Sequence, residues 1–483
     1  MARRTSNLKK IEPSENHGWI QTETLTTRAG KFEFRNSYPA GDSAERLRDV
    51  LVFNRAVESY LTHMPRVSWL HVWRGAAEAG AAKSNQVVIW ESLMDSTSLV
   101  LTGNTETIYG MAALDLKRDG PLVVEVPPSM LGFISDLSQY TIADIGITGI
   151  DKGNGGKFLL LPPDHDGPSP GYIAVKCHTY CALVGVRGFQ SEGRTEGAVN
   201  LIKTMKIYPL SQARIAAPAV FFNASHREVD TLFCDDIRFF TDLAWIVDHE
   251  PTDVFSAHER FQLAGVGIEK GKPFRPDSKL RLLLDEAARL GSAIARANSF
   301  ASTDDARIVY PDRRWEWAFI GGSASWDTQG YVNTDRRAAF AYIAIGMSPA
   351  MVEKHVGAGS QYLWTSHDAG GEFLDGEKNY RLHIPPNIPV RNFWSVVAYD
   401  ADSRSILRND QKFPSVSTYS DPQTNADGSI DVFFGPVAPA ASAKNWIQTV
   451  PGKGWFTLFR FYGPMPAFFD KTWKPGDIVK LNR

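Results

Sequence analysis

One segment near the carboxyl end restricts the fold of this chain more than any other. Residues 455–462 read Trp-Phe-Thr-Leu-Phe-Arg-Phe-Tyr, a run of aromatic and β-branched residues that favours a strand. Successive side chains of a strand point to opposite faces, and here both faces are largely apolar. The segment is therefore predicted to be an interior strand of a sandwich. Arg460 is the outlier, because a charged side chain would be buried on this strand.

Short strands separated by turn residues occur at both ends of the chain. They are predicted at residues 86–90, 107–114, 121–126, 157–161, 171–186, 380–384, 393–399, 429–434 and 455–462. No helical pattern separates the strands within either group, which argues for a sandwich or barrel and against a parallel α/β sheet.

Helical periodicity dominates residues 196–350 and one earlier segment. The earlier helix covers residues 47–64 and is predicted to end at Pro65. Apolar stripes predict helices at 237–247 and at 280–297, the second capped by Asp277 or Ser278. A third helix is predicted to start at Thr334.

The length of 483 residues exceeds the ~250–300 residues of a single core, so more than one domain is expected. The predicted class is mainly β with α: two β-sandwich or jelly-roll domains joined by a helical middle segment. The predicted parts are an irregular tail at 1–40, a β domain with a leading helix at 41–210, a helical linker at 211–350 and a β-sandwich at 351–483.

Charge and hydropathy exclude two classes of partner. The formal net charge of −2 argues against nucleic acid, and the basic cluster at residues 3–10 is interpreted as a solvated tail. No apolar run approaches the ~20 residues that span a bilayer, so no membrane partner is expected. The chain is predicted to be cytoplasmic, with a signal peptide already removed as the alternative. Cys177 and Cys181 are interpreted as buried thiols on the strand at 171–186.

Several separated segments also carry a family likeness. They read Gly-Ser-Ile-Asp-Val-Phe-Phe at 428–434, Asn-Trp-Ile at 445–447, Phe-Thr-Leu-Phe-Arg-Phe-Tyr-Gly-Pro at 456–464, Trp-Lys-Pro-Gly-Asp-Ile at 473–478 and Asn-Thr-Glu-Thr-Ile-Tyr at 104–109. In these segments the chain resembles a bacterial family that joins two domains of unknown function, catalogued as 1254 and 1214. The resemblance implies two β-sandwich or jelly-roll domains linked by helices and commonly assembled as an oligomer. It implies no chemistry, and Glu106 stands where the family usually has Asp.

Common catalytic and cofactor motifs are absent from the sequence. It contains no nucleophile elbow, no phosphate-binding loop and no dinucleotide fingerprint. His-x-His and His-Glu-x-x-His are absent too, so neither a metal site nor a cofactor is predicted.

The candidate site is instead a group of polar residues within predicted strands. The predicted catalytic residues are Glu106, Tyr109 and His178, and the predicted substrate-binding residues are Asn104, Thr107, Arg187 and Trp90. Burial of the Glu106 carboxyl would raise its pKa into the range of a general acid or base.

Structural alternatives compete with each of these roles. Asn104 and Glu106 would also stabilise a turn, His178 would also fit a core, and any single Trp would also fill a sandwich. Arg187 and Arg460 either bind a substrate carboxylate or pair with an internal acid such as Asp400, and pairing is favoured.

The leading functional hypothesis is a small-molecule enzyme, a hydrolase or lyase that uses acid–base chemistry without a redox cofactor. The alternative is a non-catalytic protein that binds a saccharide or another small ligand. In either case the expected partners are a small molecule and further copies of the chain.

Overall fold

The structure is a computed structural model that describes residues 22–165, 167, 170–439 and 443–482. The basic cluster at residues 3–10 lies outside the described residues. The described residues form several β-sheets together with helices, a mixture of β and α structure.

The amino-terminal half contains most of its strands before residue 210. Its elements are β1 (Thr22–Thr27), β2 (Gly30–Arg35), β3 (Tyr38–Pro39), α1 (Ser43–Glu78), β4 (Gln86–Ile89), β5 (Thr107–Asp115), α2 (Leu116–Asp119), β6 (Leu122–Val126), β7 (Leu131–Asp136), β8 (Thr141–Ile145), β9 (Gly156–Leu161), β10 (Ile173–Lys176), β11 (Cys181–Phe189), α3 (Glu196–Ile202) and β12 (Lys206–Pro209).

The remaining elements are helical at first and then return to strands. They are β13 (Val220–Asn223), α4 (Ile237–His249), α5 (Ala257–Ala264), α6 (Ser278–Phe300), β14 (Glu316–Trp317), β15 (Asp327–Thr328), β16 (Tyr331–Val332), α7 (Thr334–Ile343), α8 (Pro349–Val352), β17 (Ser360–Thr365), β18 (Tyr380–Ile384), β19 (Val390–Asp400), β20 (Ser415–Ser417), β21 (Ile430–Gly435), β22 (Trp446–Gln448), β23 (Trp455–Pro464), α9 (Pro466–Phe469) and β24 (Ile478–Lys480).

Two sheets pack face to face in the amino-terminal half. One has the strand order β13-β4-β5-β11-β7-β8 and the other has the order β10-β9-β6-β12. The apolar side chains between them include Ile108, Val124 and Phe158. Burial of apolar surface on both inner faces stabilises this pair of layers.

The carboxyl-terminal half repeats this layered arrangement. A sheet of order β14-β17-β23-β19-β20 faces a sheet of order β22-β21-β18-β24, and the core between them includes Leu382, Val432 and Phe459. Strand β23 lies in the interior of the first sheet, between β17 and β19, as the apolar residues on both of its faces predict.

Helices α1, α4, α6 and α7 pack together and share a core with the larger sheet of the amino-terminal half, through Ala113 on β5 and Leu183 on β11. Their shared core includes Tyr60, Leu243, Leu284 and Ala341. Asp277 caps α6 as predicted, because its carboxylate accepts a hydrogen bond from the Leu280 amide over 2.8 Å.

The predicted end of the first helix at Pro65 is wrong. Helix α1 continues through Pro65 to Glu78, and its residues from Arg66 to Leu70 are all buried. A proline removes one helical hydrogen bond. We attribute the continuation to burial of the following turns, which outweighs that loss.

Two further predictions are corrected by the sheet pairing. Residues 22–39 are not irregular but form the three-stranded sheet β1-β2-β3. Residues 171–186 are not one strand, because β10 pairs with β9 in one sheet and β11 pairs with β5 in the other. The chain changes sheets at residues 177–180, and both Cys177 and Cys181 are buried free thiols.

Within the described part of the chain, every helix is too short or too polar to cross a lipid bilayer.

Candidate functional site

An internal cavity lies where the larger sheets of the two halves approach each other beside α6 and α7. Its volume is about 90 Å³. Its lining is mainly aromatic and aliphatic, and among its polar members are Tyr109, Arg187, Tyr362, Arg460 and Tyr462. A second cavity of about 80 Å³ shares Tyr109 and Arg187 with the first, so these two residues line both spaces.

The strand register of the amino-terminal sheet places Tyr109 and Arg187 side by side. Tyr109 on β5 is the direct antiparallel partner of Arg187 on β11. The neighbouring residues Ile108 and Val186 point to the core between the two sheets, so Tyr109 and Arg187 point to the opposite face. Because side chains alternate between the two faces of a strand, the Tyr109 phenol and the Arg187 guanidinium both line the cavity.

The carboxyl-terminal sheet contributes its polar residues in the same way. Tyr362 on β17 is opposite Arg460 on β23, and Ser360 is opposite Tyr462. Phe459 and Phe461 face the core between the two carboxyl-terminal sheets, which leaves Arg460 and Tyr462 on the cavity side.

Arg187 is buried without a carboxylate beside it. Its side chain donates hydrogen bonds to the hydroxyls of Tyr362 and Tyr462, each over 3.3 Å. Only 5% of the residue is exposed. Among the described residues, no carboxylate oxygen lies within 4.0 Å of the Arg187 guanidinium. Burial raises the pKa of Asp144, and the charge of Arg187 lowers it. Burial is the larger effect, so the pKa of Asp144 is raised overall.

Arg460 is held by oxygen atoms that carry no formal charge. It donates to the backbone carbonyls of Gly103 over 3.2 Å and Thr102 over 2.6 Å, and to the Tyr399 hydroxyl over 2.5 Å. It too has no ion-pair partner in the part of the chain that the structure describes. The favoured interpretation that Arg187 and Arg460 pair with an internal acid is therefore wrong, and Asp400 pairs with Lys453 instead.

The two tyrosines beside Arg187 differ in acidity. Burial raises the pKa of Tyr362, but the positive charge of Arg187 and the hydrogen bond with Ser360 outweigh burial and hold this pKa below its ordinary value. Burial raises the pKa of Tyr462 well above its ordinary value, and the charge of Arg187 does not reverse that effect. Tyr362 is therefore the more acidic phenol of the pair.

Glu106 is buried but lines neither of the two cavities. Its carboxylate accepts hydrogen bonds from Thr105 over 3.0 Å, Ser415 over 3.3 Å and Ser417 over 2.9 Å. Burial raises its pKa to about 7, although these hydroxyls and the charge of Arg460 act in the opposite direction. The Glu106 carboxyl thus joins the segment before β5 to strand β20 of the other half.

Asn104 and Thr107 lie beside the site and do not line it. The Asn104 amide donates to the Tyr462 hydroxyl over 2.7 Å and to the Thr107 hydroxyl over 3.3 Å. Asn104 also accepts a hydrogen bond from the Glu106 amide, which is the turn-stabilising contact anticipated as its alternative role. Asn104 therefore helps to position Tyr462, which lines the cavity.

The structure does not bring His178 or Trp90 to either cavity. His178 is exposed in the turn between β10 and β11, so it is not a core histidine. Trp90 is 1% exposed in a hydrophobic core and donates to the Ser98 hydroxyl over 2.9 Å. Of the predicted site residues, only Tyr109 and Arg187 line the cavity.

Several site residues were missing from the sequence-based prediction. Tyr362 and Tyr462 read as ordinary apolar strand residues, and nothing local distinguishes them from core tyrosines. Arg460 did give a signal, as the charged residue on an otherwise buried strand. A further group, Cys181, His249 and Glu250, comes together from β11 and the end of α4, and no spacing in the sequence indicates it.

Comparisons with known proteins agree with this two-part layout. Residues 84–209 match the family model described as a protein of unknown function (DUF1254), and residues 359–466 match the one described as a protein of unknown function (DUF1214). Both domains of unknown function are therefore present in the chain. No curated protein matches it.

Two solved structures resemble the chain. The VPA0106 protein from Vibrio parahaemolyticus is 18% identical with a TM-score of 0.55, and the match covers 89% of this chain and 100% of that one. An uncharacterized protein from Burkholderia cenocepacia is 14% identical with a TM-score of 0.42, over 90% of this chain and 96% of that one. The first likeness shows a shared fold.

Proposed function

We propose that the cavity between the two larger sheets binds a small organic anion. Its charged group, a carboxylate or a group of similar chemistry, would lie against Arg187 and Arg460, and its apolar part would lie among the aromatic and aliphatic side chains. The observation that carries this proposal is the presence of two buried guanidinium groups in one cavity wall with no carboxylate beside either, among the described residues.

Physical chemistry makes this arrangement unfavourable without a ligand. The effective penalty for burying an ion is still several kcal/mol after relaxation, and neutral hydroxyl and carbonyl oxygens solvate the charge without neutralising it. Residues that weaken a fold in this way are concentrated at functional sites. A bound anion would neutralise the charge and accept the hydrogen bonds that a guanidinium donates in a planar fork.

The cavity lining favours an amphipathic ligand over a saccharide. Phe340, Trp364 and Leu458 offer apolar contact, whereas a neutral sugar would leave both guanidinium charges uncompensated. An anion with an aromatic or aliphatic body would pair with the guanidinium groups and also contact the apolar side chains of the cavity wall.

Acid–base catalysis at the same site is a second candidate function, and the lowered pKa of Tyr362 favours it. A tyrosine that ionises below its ordinary pKa and lies on the wall of a cavity would serve as a general base toward a bound substrate. In this candidate function the acid–base role of the hydrolase or lyase would fall to Tyr362 rather than to Glu106, which does not line either of the two cavities.

The two-domain description and the homo-oligomer remain proposals. Separate cores between the sheets of each half support domains at 41–210 and 351–483 of the jelly-roll or sandwich type. The segment at 211–350 would then act as more than a linker, since α6 and α7 contribute to the cavity wall. Light scattering on the purified chain tests the oligomer.

A thermal-shift experiment tests the proposed function. Purified protein is heated with benzoate, benzyl alcohol or benzylamine, and with octanoate, octanol or octylamine. Each set holds the carbon body constant while the head group changes. A rise in the melting temperature with a carboxylate but not with the alcohol or amine supports the proposal. Equal shifts within a set, or no shift with either carboxylate, would contradict it.

A further inference from the structure

A cluster of three potential metal ligands lies at the edge of the amino-terminal sheet, and none of the three lines either cavity. Cys181 is the first residue of β11, His249 is the last residue of α4, and Glu250 follows it directly. One ligand atom from each residue lies within 4.8 Å of the other two. Cys181 is 2% exposed and Glu250 is fully buried.

The imidazole of His249 provides an independent indication, because its buried nitrogen is only weakly satisfied within the protein. Its Nε2 atom is buried and makes no hydrogen bond within the described structure. The nearest carboxylate, that of Asp115, lies 3.5 Å away, and its Oδ1 atom already accepts hydrogen bonds from the amides of Lys117 and Arg118. The contact with Asp115 is thus long, and a metal ion would give this buried ring nitrogen a closer partner.

Neighbouring groups already fix the orientation of two of the ligands. The Trp245 ring stacks on the His249 ring with centroids 4.6 Å apart and planes within 11°. The two oxygens of Glu250 accept hydrogen bonds from the Tyr180 amide over 2.6 Å and the Cys181 amide over 3.0 Å. The Cys181 thiol also hydrogen-bonds to this carboxylate, and a metal ion would replace that contact when the thiol loses its proton. Hydrogen bonds that orient the ligand side chains in this way are typical of metal sites.

We propose that Cys181, His249 and Glu250 form a site for Zn²⁺ that joins the end of α4 to the start of β11. A thiolate, an imidazole and a carboxylate are the donor types that Zn²⁺ takes in proteins, and the thiolate disfavours Mg²⁺ and Ca²⁺. Binding replaces the proton on the Cys181 thiol with the metal and releases that proton to solvent. Water would complete a tetrahedral set.

The test measures the stoichiometry and affinity of metal binding to the full chain. Protein treated with a chelator and then freed of it is titrated with Zn²⁺ in a calorimeter, and with Co²⁺ while the thiolate-to-cobalt absorption is recorded. The expected result is one Zn²⁺ per chain and a cobalt–thiolate band. The variants Cys181→Ser and His249→Gln should each weaken binding by more than about tenfold, and Cys181→Ser should abolish the band.

Cys177→Ser is the matched control, because Cys177 is equally buried but stands outside the cluster. This control should keep both the stoichiometry and the band. If Cys181→Ser does not fold, His249→Gln carries the test, because the His249 side chain is 16% exposed and tolerates replacement better. Absence of stoichiometric Zn²⁺ binding, or unchanged binding in His249→Gln, would overturn the proposal. The result is independent of anion binding in the cavity.

Discussion

The guanidinium of Arg187 donates a hydrogen bond to the Tyr362 hydroxyl over 3.3 Å, although the two residues belong to sheets in opposite halves of the chain. Arg187 lies on β11 and Tyr362 on β17, and 175 positions separate them in the sequence. The contact therefore exists only when both sheets and the helices between them are assembled. It places the positive charge of one half against the phenol of the other, at the wall of a shared cavity.

Replacement of Arg187 by methionine is expected to leave the free energy of unfolding unchanged or to raise it by about 1 kcal/mol. No described carboxylate loses a partner, and an apolar side chain of similar length removes a buried charge. The measurement is urea unfolding at pH 7.

Arg66→Met provides the contrast for this first prediction. Arg66 is also buried, but it pairs with Glu259 over 2.9 Å, so its removal leaves a partly buried carboxylate alone and is expected to cost about 3 kcal/mol. Comparable losses in the two variants would mean that Arg187 is neutralised within the protein itself, against the proposal.

Tyr362→Phe is expected to remove the tyrosine that ionises below the ordinary pKa. Burial raises the pKa of Tyr362, but Arg187 and Ser360 lower it further than burial raises it. The absorbance of tyrosinate, followed against pH, should therefore show an early component in the wild type that is missing in the variant. Tyr399→Phe should leave this component intact, because burial raises the pKa of Tyr399. An early component that survives in Tyr362→Phe would show that another tyrosine produces it.

Glu106→Gln is expected to change how stability depends on pH. The folded-state pKa of Glu106 is about 7 and the ordinary value is 4.5, so the unfolded state loses the proton first as pH rises. Stability from this group is complete below about pH 4.5 and is lost as pH rises to about 7, a change of about 3 kcal/mol. The variant lacks this loss, so its free energy of unfolding relative to wild type should increase from pH 4 to pH 8.

Glu125→Gln is the control for the sign of that effect. The pKa of Glu125 is lowered, because Tyr208, Lys157 and Lys206 outweigh its burial. Stability from Glu125 is therefore present above about pH 4.5 and is lost as pH falls below that value. The difference between Glu125→Gln and wild type should stay constant from about pH 5 to about pH 8, in contrast to the change expected for Glu106→Gln. A flat difference between Glu106→Gln and wild type would show that Glu106 titrates normally.

Ala339→Leu is expected to fill part of the cavity and reduce the thermal shift produced by octanoate. Ala339 lies on α7, is 5% exposed and lines the cavity. The added carbons occupy ligand space at a stability cost of about 1–3 kcal/mol. Ala297→Leu on the exposed face of α6 is the matched control and should keep the full shift. An undiminished shift in Ala339→Leu would locate octanoate elsewhere.

The sequence predicted several strands of this fold, because alternation and turn residues are local signals, but it missed others such as β7, β8 and β17. The predicted strand at 380–384 coincides with β18, and the one at 107–114 lacks only the last residue of β5. Local signals failed at Pro65, where tertiary burial outweighs a helix-ending residue, and at 177–180, where the chain changes sheets.

The site was less predictable, because the contacts that define it are not local. Arg187 and Arg460 were visible as charges on apolar strands, but their lack of an acidic partner depends on distances between remote residues. Tyr362 acquires its lowered pKa from Arg187 on the other half of the chain. The sequence therefore indicated candidate residues, but only the assembled sheets show which of them lie together.

The most direct test of anion binding is a calorimetric titration of octanoate into the wild type, Arg187→Met and Arg336→Met. Arg336 also lines the cavity, but Asp304 neutralises it through hydrogen bonds of 2.5 and 2.9 Å. We expect octanoate to bind the wild type, Arg187→Met to weaken binding at least about tenfold, and Arg336→Met to weaken it less. Equal affinity of octanoate for wild type and Arg187→Met would contradict this expectation.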